Sequence, residues 1–144
     1  MPLTDQHRFG MQLAQMSSGW RAELDRRLAG LGLSQARWLV LLHLARFTDP
    51  PTQRELAQSV GVEGPTLARL LDSLESQGLV RRQAVLEDRR AKKVVLSDTA
   101  RPLIEKIETI ANVLRHELFT GIDEEELRIC MRVHGKILAN LEKP

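Results

Sequence analysis

Between residues 65 and 96 the hydrophobic period changes once, and the change falls at a glycine. Leu67, Leu70, Leu71 and Leu74 recur at i, i+3, i+4 and i+7, the core face of one helix. Gly78 then marks a helix stop, with Leu79 beyond it as the apolar contact of a C-cap. Residues 79–85 and 92–96 read as strands. Upstream, Thr52 and Glu55 have the spacing of a capping box, and Gly61 breaks the short helix they start. Pro65 suits the first position of the second helix. Residues 51–97 therefore spell helix, turn, helix and hairpin.

The second helix has two unlike faces. Pro65, Arg69, Asp72 and Ser76 point away from the leucines, and Thr66, Ala68 and Ser73 flank them. A helix entering a major groove needs little bulk there and one or two long donors. An ordinary solvated face would look the same, so the charge of the hairpin decides. From Leu79 to Lys93 stand six basic residues (Arg81, Arg82, Arg89, Arg90, Lys92 and Lys93) and two acidic ones, Glu87 and Asp88. That stretch carries +4 in a chain whose total is +2. Basic charge focused beside a helix-turn-helix is the footprint of a phosphate-binding surface.

The run VEGPTLARLLDSLESQGLVRRQAVLEDRRAKKVVLSDTA resembles the winged helix-turn-helix of the MarR family of bacterial transcription regulators, and most closely its SlyA-like branch. Asp88-Arg89-Arg90-Ala91 matches that family's wing signature, and Gly78-Leu79-Val80-Arg81-Arg82 its entry into the wing. The resemblance implies a mainly α fold with a small β-hairpin wing, the winged part flanked by N- and C-terminal dimerisation helices. It implies one domain over residues 1–144. Residues 34–97 would be the winged helix-turn-helix, and residues 6–31 and 98–142 the dimerisation helices.

The flanking sequence supports that division. Phe9, Leu13, Met16, Trp20, Leu24, Leu28 and Leu31 form a stripe along a helix over residues 6–31, ended by Gly30 and Gly32. Ser34 caps a second helix over residues 35–47 that is apolar almost all round and so belongs inside. Ser97 is placed to cap a helix carrying Leu103, Ile104, Ile107, Ile110, Ala111, Leu114 and Leu118, ended by Gly121. Asp123 caps the last helix, with Glu124, Glu125 and Glu126 in its first turn and Leu127, Cys130, Met131, His134, Ile137, Leu138 and Leu141 along one face. Exposed stripes of that length are a solubility liability. Either they bury one another across a two-fold axis or they close into a bundle within one chain. The two-fold dimer would set two recognition helices about one helical turn, ~34 Å, apart on a pseudo-palindromic operator.

Candidate DNA-binding residues are Pro65, Thr66, Arg69, Ser73, Arg81, Arg82, Asp88, Arg89, Arg90 and Lys92. Thr66 and Arg69 would read base edges, with Pro65 close against the groove. Arg90 would enter the minor groove, whose negative potential favours arginine. Asp88 would hold the wing arginines by an ion pair. Arg81, Arg82, Lys92 and Lys93 would serve phosphates or support the wing. Trp38, in the apolar second helix, is either core packing or the wall of a ligand crevice. The resemblance adds that SlyA-like proteins bind aromatic carboxylates such as salicylate there, and Arg21 would pair with the carboxylate.

Other chemistry is not expected. His7, His43, His116 and His134 fall on four separate helices, none at ligand spacing with a carboxylate or the cysteine, so no metal is expected. The single cysteine, Cys130, excludes an intrachain disulfide and fits a reducing compartment. It lies on the packed face of the last helix and so reads as a small buried hydrophobe; in the family this chain resembles, thiol-sensing members place the reactive cysteine in the N-terminal helix, where this chain has none. There is no Gly-rich phosphate loop, nucleophile elbow or paired-carboxylate site, so neither an enzyme nor a cofactor is expected. No apolar run approaches the ~18 residues of a membrane span, and residues 1–10 hold no secretory signal. The expected location is the cytoplasm and the expected partners are double-stranded DNA, a second copy of the chain and a small aromatic anion. The rival reading is a winged-helix protein-interaction module without DNA binding.

Overall fold

The computed structural model describes residues 1–85 and 88–143, with the backbone alone for Asp88, Arg89 and Arg90. These residues form six α-helices and one antiparallel hairpin: α1 (Asp5–Leu28), α2 (Gln35–Ala45), α3 (Gln53–Val60), α4 (Gly64–Ser76), β1 (Val80–Val85), β2 (Asp88–Leu96), α5 (Ala100–Leu118) and α6 (Glu124–Glu142). A single 3-10 turn, Ala29–Leu31, follows α1. Among the described residues no single helix is long and apolar enough to cross a membrane. The chain forms two compact units, Met1–Asn112 and a second that begins at Val113.

In the first unit α2 is the spine. Trp38, Val40, Leu41, Leu42 and Leu44 are all buried, as an all-apolar helix requires. It packs on α3, α4 and β2. Leu56, Ala57 and Val60 of α3 and Leu67, Leu71 and Leu74 of α4 are buried as well, with Leu28 of α1, Val80 and Val94 of the hairpin and Ile107 of α5. The local signals act as read from the sequence. Thr52 Oγ1 accepts from the Glu55 N–H at 3.1 Å, and Glu55 returns the bond to the Thr52 N–H at 3.1 Å. Gly61, at φ 84°, turns the chain between the two helices in a conformation that side chains with a Cβ avoid.

Four expectations are corrected. The first helix ends at Leu28 and not at residue 31, because its last turn tightens to 3-10 before Gly32 turns left-handed at φ 72°. The second strand of the hairpin begins at Asp88 and not at residue 92. A register irregularity after Ala84 pairs Val85 with Asp88, which lets β2 start earlier than the apolar pattern shows. Ser97 does not cap α5. Its hydroxyl donates to the Gly78 carbonyl at 2.6 Å, as does Thr99 at 2.8 Å, so both seal the chain crossing at the hairpin base. Cys130 is exposed in the single chain and not buried. It shares that with the rest of its helix, none of whose residues is buried.

One polar contact inside the first unit gives a pH dependence. His43 of α2 lies half-buried with Nδ1 2.8 Å from Ser59 Oγ of α3. Burial, and then the positive charges of Arg46 at the C-cap of α2 and Arg21 on α1, hold its pKa below the ordinary value. Arg46 in turn stands 3.8 Å from Glu108. The unfolded chain therefore binds a proton at His43 more readily than the folded one. Its contribution is fully present above the ordinary histidine pKa, about 6.5, and is lost as pH falls through that value towards the lower folded one. Urea midpoints should drop between pH 8 and pH 5.5, and by less in His43→Gln. An equal drop in both proteins would refute the assignment.

Candidate nucleic-acid interface

The turn between α3 and α4 leaves the outer side of α4 in the open. Pro65 and Arg69 are exposed, and Thr66 and Ser73 are half-exposed on the flanks. Among the described residues Arg69 makes no ion pair, so its guanidinium keeps all its donors. An open cleft of about 540 Å³ lies between α3 and the start of α4, lined by Gln53, Arg54, Glu63, Pro65 and Ala68 among others. Gln53 and Arg54 open α3, and sequence reasoning missed them. The signal was present: an arginine in the first turn of the first of the two helices, which crosses the DNA backbone in a docked helix-turn-helix. Glu63 is the N-cap of α4 but makes no side-chain cap bond, unlike Thr52 at the head of α3.

The hairpin stands beside this helix. Its register pairs Arg81 with Val95, Arg82 with Val94, Gln83 with Lys93 and Ala84 with Lys92. Val80 and Val94 turn inward and are buried, whereas Arg81, Lys92 and Lys93 are exposed. The β2 edge is fastened to the head of α3, where the Val94 N–H donates to the Pro51 carbonyl at 2.9 Å and Thr52 bridges to Lys93. Arg82 differs from its basic neighbours. Its side chain is 17% exposed and its Nη2 donates to Asp72 and Glu75 of α4. The fixed charge displayed outward is therefore smaller than a residue count of the hairpin implies. The roles expected of Asp88, Arg89 and Arg90 concern side chains outside the described residues.

The two ligand candidates lie apart in character. Arg21 is exposed on α1. Trp38 is 1% exposed, and its indole N–H donates to Asp25 of α1 at 3.1 Å. Among the described residues no group of three or more His, Cys, Asp or Glu side chains is arranged to hold a metal ion.

This geometry has known counterparts. A model of the MarR family matches residues 31–91, which run from the 3-10 turn after α1 through the helix-turn-helix into β2. A solved transcriptional regulator, PA3341, is 71% identical, with a TM-score of 0.88 over 93% of this chain and 98% of its own. The chain belongs to the MarR family. A second MarR-family regulator, from Silicibacter pomeroyi, is 26% identical with a TM-score of 0.86 over 100% of this chain and 99% of its own. The MepR–DNA complex of S. aureus is 25% identical, with a TM-score of 0.78 over 96% of this chain and 99% of that one. As a MarR-family chain it has the fold of DNA-binding transcriptional regulators, with α4 in the position of the second, recognition helix and the β1–β2 hairpin as the wing.

Proposed function

We propose that the protein is a homodimeric, sequence-specific DNA-binding regulator of transcription, of the SlyA-like kind, whose grip on DNA loosens when a small aromatic carboxylate binds. The observation that carries the DNA reading is Arg69, without an ion pair among the described residues, on the outer face of α4 beside the exposed Arg81, Lys92 and Lys93 of the wing. Thr66 and Arg69 read base edges, with Pro65 and Ser73 against the groove. Arg81, Lys92 and Arg54 serve phosphates. Arg90 enters the minor groove, and Asp88 holds the wing arginines, Arg89 included, by an ion pair. Residues 34–97 act as the DNA-binding part, and residues 6–31 and 98–142 as dimerisation helices, in the cytoplasm.

The ligand reading uses the Trp38–Asp25 bond. A ligand carboxylate offers the indole N–H the same acceptor that Asp25 offers, and Arg21 supplies a guanidinium on the same helix as Asp25. Displacing Asp25 would loosen α1 from α2, which packs on the DNA-binding helices.

Selection of bound fragments from genomic DNA tests the first reading. A shared pseudo-palindrome should be enriched, and its log affinity should fall steeply with log salt. Failure to enrich any sequence above random would leave the protein-interaction reading. Millimolar salicylate at constant ionic strength tests the second. It should weaken operator binding by the wild type and less so by Arg21→Ala. Unchanged affinity and unchanged melting temperature would sink it.

A further inference from the structure

We propose that Arg82 is a positioning residue that locks the wing to the recognition helix, and that Asp72 and Glu75 strengthen DNA binding although both are negative. The proposal rests on the DNA-binding reading above. The geometry is a three-bond clamp. Arg82 Nη2 reaches both Asp72 Oδ1 and Glu75 Oε1, the latter at 3.0 Å, and the Arg82 backbone N–H donates to Glu75 Oε2 at 3.1 Å. Glu75 thus holds β1 by main chain and side chain together. Asp72 lies one turn earlier on the outer side of α4, so the clamp reaches the part of the helix that would face DNA. Among the described residues these are the bonds that tie β1 to α4 beyond the connecting turn.

An exposed ion pair contributes little, because water screens it and two long side chains must be ordered. Here the arginine is mostly shielded and its donors are charge-assisted, which makes the arrangement directional. Arg82 holds the Glu75 carboxyl below the usual carboxylate range through its side-chain and main-chain donors. Both carboxylates in turn raise the guanidinium's pKa. The β2 edge is already fastened to Pro51 and Thr52, so Arg82 fixes the other edge of the hairpin. With both edges held, a shift of α4 in the groove carries the wing with it. Released, the wing would have to be ordered each time DNA is bound.

Charge alone and the clamp predict opposite signs. Asp72→Asn with Glu75→Gln removes two negative charges from the DNA-facing helix and frees one arginine, so charge alone predicts tighter binding. The clamp predicts about tenfold weaker binding, within the range of coupling among bonded side chains. Arg82→Gln separates positioning from phosphate binding. Removing a cation that neutralises a phosphate lowers the salt slope by ~0.9, whereas releasing the clamp leaves the slope in place. Arg82→Lys keeps the charge and one donor direction and should recover part of the affinity. Melting temperatures show that each variant is folded at the assay temperature. Spin labels at Gln77→Cys and Ala84→Cys, in a Cys130→Ser background, read the clamp without DNA. Their distance should be narrowly distributed with Arg82 present and broad in Arg82→Gln. Tighter or equal DNA binding by the double acid variant, or a narrow distance in Arg82→Gln, overturns the proposal. A wild type that binds no DNA would overturn the reading beneath it, and the label distances would still decide the clamp.

Discussion

A protein carrying Met131→Glu and Leu138→Glu should sediment as a monomer and bind its full operator about 100-fold or more weakly than the wild type. Both residues are exposed in the single chain, at 58% and 61%, and lie seven positions apart on one face of α6. Leu127 and Leu141 continue the same stripe, 38% and 74% exposed. Because neither side chain is buried within the chain, the substitutions disturb no intrachain core. They put charge where apolar area would otherwise leave water, at ~25 cal/mol per Å². The effect on DNA follows from linkage of two half-sites. Joining two binding units raises affinity by roughly 10²–10⁴ with no new interaction, and the monomer forfeits that factor. The wild type should prefer a full palindrome to a half-site, and the variant should bind both alike. A dimer that survives both glutamates, or a monomer with undiminished preference for the palindrome, would exclude this face as the dimer interface.

The helix-turn-helix was legible because its signals are local. A capping box at Thr52 and Glu55, a left-handed Gly61 and leucines at helical spacing each act within about two turns of chain. The wing was legible in type but not in extent. Apolar alternation marks Val94 and Leu96, whereas β2 begins earlier, at Asp88, which pairs with Val85 across a register irregularity that no side-chain pattern announces. Side-chain pairs distant in sequence were not legible. Counting charges placed Arg82 among residues that serve phosphates or support the wing, and only the tertiary arrangement brings it to Asp72 and Glu75, ten and seven residues earlier. Trp38 is similar. Its burial followed from an apolar helix, but its bond to Asp25 crosses thirteen residues and a turn. Ser97 looked like a cap by residue type, yet a hydroxyl there satisfies a carbonyl nineteen residues away. The apolar stripe of α6 was legible as a pattern, and none of its residues is buried in the single chain.

Arg69→Ala and Lys92→Ala should fail in different ways. Arg69 stands exposed on the outer face of α4, one turn from Pro65, with its fork of donors unpaired among the described residues. A guanidinium so placed can make two hydrogen bonds to a guanine edge, and such a pair is worth roughly 1–3 kcal/mol of discrimination. Its loss should relax preference at one base pair of each half-site and leave binding to unrelated DNA nearly intact. In a dimer both half-sites are affected, so operator affinity should fall by roughly 30-fold to 10⁴-fold if the two losses add. Lys92 is exposed on β2 opposite Ala84, a single ammonium on a strand and not a fork on a recognition helix. It supplies a point charge, so Lys92→Ala should weaken all sequences by a similar factor. The slope of log affinity against log salt should fall by ~0.9 for each phosphate left without its cation. Affinities for a panel of single-base operator variants across a salt series measure both effects together. If Lys92→Ala altered preference at one base pair while Arg69→Ala weakened every sequence equally, helix and wing would have exchanged roles. The interface would then read its sequence through the hairpin.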